Sequence, residues 1–166
     1  MSRASHLVAT FFYIGHLRPA PGTWGSLAAL PVAWLLYTLG GVALFCAGLA
    51  VVLVAGLWAI TLETKGKTDH DPSEIVIDEV AGQWVALLPV MIGASHSGAG
   101  VLALWPGWVT AFIAFRVFDI LKPGPVGWAD RRNDPLGVML DDVIAGVLAA
   151  LVVGFGAWLS HGVLGL

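Results

Sequence analysis

Charge is scarce in this chain. Of its 166 residues only 11% are Asp, Glu, Lys or Arg, and the formal net charge is −3. There is no basic footprint of the kind a polyanion requires, which excludes nucleic acid as a partner. Cysteine is scarcer still. Cys46 stands alone in an apolar run, so it can form no internal disulfide and lacks the neighbours that would activate a thiol. Repeats of solenoid period are absent, and nothing resembles a linker, so a single domain over residues 1–166 is expected. What fills the sequence instead is apolar: 58% hydrophobic residues and a mean hydropathy of +0.85, against about 45–50% apolar in soluble domains. The chain reads as an integral membrane protein.

The few charges are clustered. Arg3 and Arg18 precede residue 19, eight charged residues lie between Glu63 and Glu79, and nine between Arg116 and Asp142. The stretches 19–62, 80–115 and 143–166 carry none. A bilayer core about 30 Å thick takes roughly 20 apolar helical residues per crossing. The stretches therefore hold five spans, near 26–39, 42–62, 75–93, 101–121 and 139–160, with Gly40-Gly41 breaking the first stretch. The expected fold is all-α, a membrane bundle of about five transmembrane helices. An N-terminal interfacial segment precedes it, because the run Leu7–Ile14 between His6 and His16 is too short to span and no signal-peptide cleavage site follows it. An odd number of spans places every Lys and Arg on one side, the positive-inside pattern of a cytoplasmic face. Tryptophans fit the two interfaces: Trp24, Trp58, Trp84 and Trp128 on the charged side, Trp105, Trp108 and Trp158 on the other, with Trp34 left mid-span.

Four acids come in adjacent pairs at helix starts, Asp78-Glu79 and Asp141-Asp142. Gly82 follows Asp78 by one turn and Gly146 follows Asp142 by one turn. Small residues let two transmembrane helices approach closely, so the pairs are expected to converge. Carboxylates gathered at a membrane boundary repel one another unless protonated or holding a cation. An oxygen-only, acid-rich group suits Mg²⁺. The alternative is that the acids simply end each helix in water.

Basic and small polar residues accompany them. Arg116, Asp119 and Lys122 share one helix face at i, i+3, i+6, and Pro123 and Pro125 stiffen the exit after Lys122. Asp130, Arg131 and Arg132 follow in the same loop. Arg grips phosphate bidentately and Lys as a point charge; a plain ion-paired helix end is the rival for Arg116 with Asp119. Pro21-Gly22-Thr23-Trp24-Gly25-Ser26 opens the first span, with Thr23 or Ser26 as a helix cap and the helix N-terminus as an anion site. His70, between Asp69 and Asp71, is a candidate metal ligand or proton donor or else an exposed loop residue. In Asp71-Pro72-Ser73-Glu74, Ser73 is expected to cap the next span, or Asp71 to fix its turn. Segment 63–79 has net charge −4 and segment 116–142 net −1. Such a face repels a phosphate monoester unless a divalent cation reverses the local sign.

Together these blocks resemble the phosphatidylglycerophosphatase A family of bacterial membrane lipid phosphatases. The matching stretches are Pro-Gly-Thr-Trp-Gly-Ser (21–26), Asp-Pro-Ser-Glu-Ile-Val-Ile-Asp-Glu-Val-Ala-Gly-Gln (71–83), Phe-Arg-Val-Phe-Asp-Ile-Leu-Lys-Pro-Gly-Pro (115–125), Asp-Arg-Arg (130–132) and Gly-Val-Met-Leu-Asp-Asp-Val-Ile-Ala-Gly (137–146). Asp134-Pro135 departs from the glycines usual before the last block. The resemblance implies Mg²⁺-dependent hydrolysis of phosphatidylglycerophosphate to phosphatidylglycerol and phosphate at the cytoplasmic side of the bacterial inner membrane. It implies Asp78, Glu79, Asp141 and Asp142 as metal-centred catalytic acids. Arg116, Asp119, Lys122, Asp130 and Arg131 would flank the phosphate. A small membrane metal-ion transporter is the rival from another class, disfavoured because the side opposite the acids has no charged side chain.

Overall fold

The computed structural model describes residues 2–67 and 71–160, and among them every regular element is helical. In chain order these are α1 (Arg3–Ala9), a 3-10 turn (Ile14–His16), α2 (Pro21–Thr64), α3 (Ile77–Ser97), a second 3-10 turn (Val101–Leu104), α4 (Trp105–Leu121), α5 (Pro125–Asp130) and α6 (Pro135–Trp158). At 44 residues α2 is too long for one crossing, and its backbone leaves the helical region at Gly40 and Gly41, the latter with φ 62°. Glycine takes a positive φ without steric penalty. The result is two apolar limbs, 21–39 and 42–64. With α3, the segment Val101–Leu121 and α6 they give the five apolar helices expected.

Helix α3 is central. Of its apolar window 72% is buried, against 50% for α6 and 22% each for α2 and Val101–Leu121. Its tightest crossing is with α6. A β-carbon on Gly146 would overlap the carbonyl oxygen of Gly82, and one on Gly82 would lie 2.5 Å from the carbonyl oxygen of Asp142. The two glycines thus set how closely the helices pack. On the other side of α3, the fully buried Phe45 meets the ring of Trp84, centroids 5.8 Å apart, and the Trp84 indole N–H donates to the Ala29 carbonyl at 2.9 Å. Trp84 is therefore a core residue rather than an interfacial one. Trp108, 8% exposed and donating to the Val101 carbonyl at 3.0 Å, departs from the belt in the same way. The other tryptophans are exposed.

Helix starts differ from expectation at three places. The first limb of α2 begins at Pro21 with Ala20 as its N-cap, and neither Thr23 nor Ser26 caps it; Ser26 Oγ instead donates to the Gly22 carbonyl at 2.8 Å. Helix α3 begins at Ile77 with no side-chain cap. Ser73 is turned away and accepts from Arg18 Nη1 at 3.1 Å, while the Val76 N–H donates to the Ala9 carbonyl at 2.9 Å. The N-terminal segment thus holds residues 73–76 in a shape the helix cannot extend through. Helix α6 starts early because Asp134 caps it, accepting from the Gly137 N–H at 2.6 Å, with Pro135 at the first helical position, where a missing N–H is harmless. The N-terminal segment itself packs onto the bundle, with Ser5, Ala9 and Thr10 fully buried.

Candidate active site

The glycine crossing draws together the first turn of α3 and the second turn of α6. One oxygen each from Asp78, Glu79 and Asp142 lies within 4.8 Å of the other two. Asp78 and Asp142 are 4% and 3% exposed. Asp78 Oδ1 accepts the Glu79 backbone N–H at 3.1 Å. Glu79 Oε2 and Asp142 Oδ1 are buried with no hydrogen-bond partner among the described residues. Buried polar atoms are almost always partnered. Unpartnered carboxylate oxygens within such a group are what a hard dication, which takes oxygen ligands, would satisfy.

Asp141 stands outside this group of three. It is 5% exposed and its Oδ2 accepts from Lys122 Nζ at 2.7 Å. Successive helical residues point about 100° apart, so Asp141 and Asp142 address different neighbours. Lys122 caps the C-terminal end of α4 with φ 46°, and its ammonium also pairs with Asp130 at the end of α5. Burial alone would lower the Lys122 pKa, but its bonds to Asp130 and Asp141 outweigh that and raise it. The ammonium therefore stays charged and ties α4, α5 and α6 together.

Arg116 pairs with Asp119 one turn along α4, places Nη1 3.5 Å from Ser26 Oγ, and leaves Nε buried without a partner among the described residues. Gly22 explains how the start of α2 gets so near. A β-carbon there would overlap Glu79 Oε1 and lie 3.2 Å from Arg116 Nη1. Thr23 is half-buried on the same first turn. Asp119 adds negative potential at Glu79 and Asp142, and the exposed Asp71 does so at Asp78 and Asp141. Arg131 is exposed at the end of α5 and forms no ion pair among the described residues. His70 lies outside the described residues.

One residue given no role from sequence belongs here. Gln83, fully buried one turn beyond Glu79, has neither amide atom hydrogen-bonded among the described residues. Its spacing from Glu79 in an otherwise apolar helix was the available signal. Taken together, three converging carboxylates, two guarded cations and a helix N-terminus can hold a dication and meet a phosphate group.

A sequence profile of the phosphatidylglycerophosphatase A family matches residues 7–157. The Haemophilus influenzae phosphatidylglycerophosphatase A is 37% identical over 150 residues, covering 89% of this chain and 85% of its own length. The Escherichia coli protein of the same name is 34% identical over 157 residues, covering 93% and 84%. A Bacteroides thetaiotaomicron protein, proposed as a phosphatidylinositol-3-phosphatase, is 35% identical over 158 residues, covering 92% of each. No solved structure matches the chain. The chain belongs to the phosphatidylglycerophosphatase A family and is, as a member, a phosphatase.

Proposed function

We propose that the protein hydrolyses phosphatidylglycerophosphate to phosphatidylglycerol and inorganic phosphate in bacterial phospholipid synthesis. It acts with Mg²⁺, at the cytoplasmic face of the inner membrane. Family membership supports the reaction. The convergence of Asp78, Glu79 and Asp142 beside Arg116 and Lys122 is the observation that carries the mechanism. Mg²⁺ fits because the donors are all oxygens and two of them lack partners in the protein. Asp78, Glu79 and Asp142 would hold it, and it would supply positive charge opposite the phosphate oxygens.

The protein's own groups do the rest. Arg116, with Nε uncommitted, and the first turn of α2 at Gly22 and Thr23 bind and orient the phosphate. Lys122 compensates Asp141 and adds positive potential from the other side. As water forms a new P–O bond and the P–O bond to the glycerol breaks, a carboxylate oxygen of Glu79 or Asp142 accepts the water's proton and passes it to the departing glycerol oxygen. Asp119 and Asp71 tune the field, Asp119 by orienting Arg116. The acyl chains remain in the bilayer while the headgroup meets the charged end. The placement of every Lys and Arg at that end of the five-helix thread supports the location.

Phosphate release from phosphatidylglycerophosphate in detergent tests the reading. Release that stops with a chelator and returns with Mg²⁺ is expected, with phosphatidylinositol 3-phosphate a poorer substrate. Chelator-insensitive release would sink the metal assignment, and metal flux into vesicles without phosphate release would favour the transporter.

A further inference from the structure

A second polar cluster lies apart from these acids, where α1 and the Ile14–His16 turn meet the end of α2. Glu63 is 3% exposed. Its Oε1 accepts from Ser5 Oγ at 2.6 Å and its Oε2 from His6 Nδ1 at 3.2 Å. With the Nδ1 proton committed to the carboxylate, neutral His6 carries its lone pair on Nε2. That nitrogen faces His16 Nε2 at 3.0 Å, so His16 is the donor in this contact. The Tyr13 ring stacks on His16, centroids 5.7 Å apart and planes 24° apart. His6 is therefore oriented from behind and His16 from the side.

Two imidazole nitrogens 3.0 Å apart are one rearrangement away from a ligand pair. At Zn–N distances of about 2.0–2.1 Å in tetrahedral geometry, two ligating nitrogens stand roughly 3.4 Å apart. Parting the rings by a few tenths of an ångström, turning them so that both lone pairs converge on one point, and moving the His16 proton to Nδ1 converts the contact into that pair. A ligating histidine usually donates its other N–H to a carboxylate, and Glu63 already fills that role. We propose that His6 and His16 form a second metal site, for a nitrogen-preferring dication of the Zn²⁺ class, with water completing its coordination on the exposed side of His16. Imidazole suits Zn²⁺, Cu²⁺ and Ni²⁺, whereas Mg²⁺ prefers the carboxylates, so the two sites select different ions.

The site's place in the chain gives it a consequence. A cation there ties α1 to the Ile14–His16 turn. From this segment Arg18 reaches Ser73, Ala9 accepts from Val76, and Gly15 abuts the Glu74 carbonyl. All three contacts hold the residues that lead into Asp78, and the same segment ends at Pro21. Occupancy therefore stiffens the approach to both arms of the candidate active site.

The test uses the full chain in detergent with saturating Mg²⁺. Zn²⁺ is titrated by calorimetry and Cu²⁺ is followed by electron paramagnetic resonance. The wild type should bind one equivalent of Zn²⁺, and the Cu²⁺ spectrum should show nitrogen hyperfine coupling. His16→Ala, an exposed position, should lose both while keeping basal activity. Glu63→Gln should weaken binding about 10- to 100-fold, and Asp142→Asn should leave it unchanged. The proposal is overturned by absence of Zn²⁺ binding to the wild type. Unchanged affinity in His16→Ala, or a Cu²⁺ spectrum without nitrogen coupling, overturns it equally.

Discussion

Gly146 of α6 sits against the carbonyl oxygen of Gly82 in α3, with no room between them for a side chain. Because the overlapping atom is backbone, it cannot rotate away. Gly146→Ala gains about 0.8–1 kcal/mol of helix propensity but overpacks the crossing, which costs about 1–3 kcal/mol. Net destabilisation is expected, with activity falling further as the carboxylates above the crossing move apart. Gly154→Ala is the control, since a β-carbon there meets nothing within 4 Å. It should keep full activity and hold or raise the melting temperature. Equal behaviour of the two variants in thermal unfolding would refute the close crossing.

Asp142→Asn and Glu79→Gln each keep side-chain shape while removing the charge that makes the three-carboxylate group. Loss of turnover of roughly 100- to 10,000-fold is expected if either oxygen accepts the proton. Membrane insertion and folding should survive, because neither orphaned oxygen is bonded within the protein among the described residues. Phosphate release and a melting curve on the same preparation separate the two effects. Chelation should reduce the wild type to the level of these variants and leave the variants unaltered.

Lys122 has two carboxylate partners in unlike surroundings. The Asp141 side chain is 8% exposed and that of Asp130 is 41%. An exposed pair contributes about 0–1 kcal/mol, whereas breaking a buried one leaves an uncompensated charge and costs up to about 3–5 kcal/mol. Double-mutant cycles on folding stability should therefore give a larger coupling for Lys122 with Asp141 than with Asp130. Asp130→Asn alone should be nearly silent. Equal couplings would mean that Asp141 is more hydrated than its burial indicates.

How much of this was legible in the sequence follows from the range of each signal. The spans were readable because charge-free runs are local, and the Gly40-Gly41 break because glycine marks a bend within four residues of where it acts. The meeting of Asp78, Glu79 and Asp142 was anticipated from the glycine one turn beyond each pair. Asp141 was grouped with them because adjacency in sequence hides a rotation of about 100°. Trp84 was assigned to an interface because position along a helix reveals depth but not which face is buried. Ser73 looked like a cap, yet its partner, Arg18, lies 55 residues away. The Glu63, Ser5 and His6 contacts span 57 and 58 residues and follow no spacing at all. Only the folded chain brings them together.

Gln83 provides the last test, because its two possible roles predict opposite balances of stability and activity. A buried amide with no protein partner lowers stability by about 1–3 kcal/mol, and Gln83 is 0% exposed with both amide atoms unpaired among the described residues. Gln83→Leu removes that penalty at similar volume, so the melting temperature should rise. A residue placed one turn from Glu79 and kept polar at such expense is expected to serve the site, so turnover should fall in the same variant. Gln83→Glu should lower both, since it adds a further negative charge beside the acids. A Leu variant that is both more stable and fully active would remove Gln83 from the site and leave its amide as a purely local feature of α3.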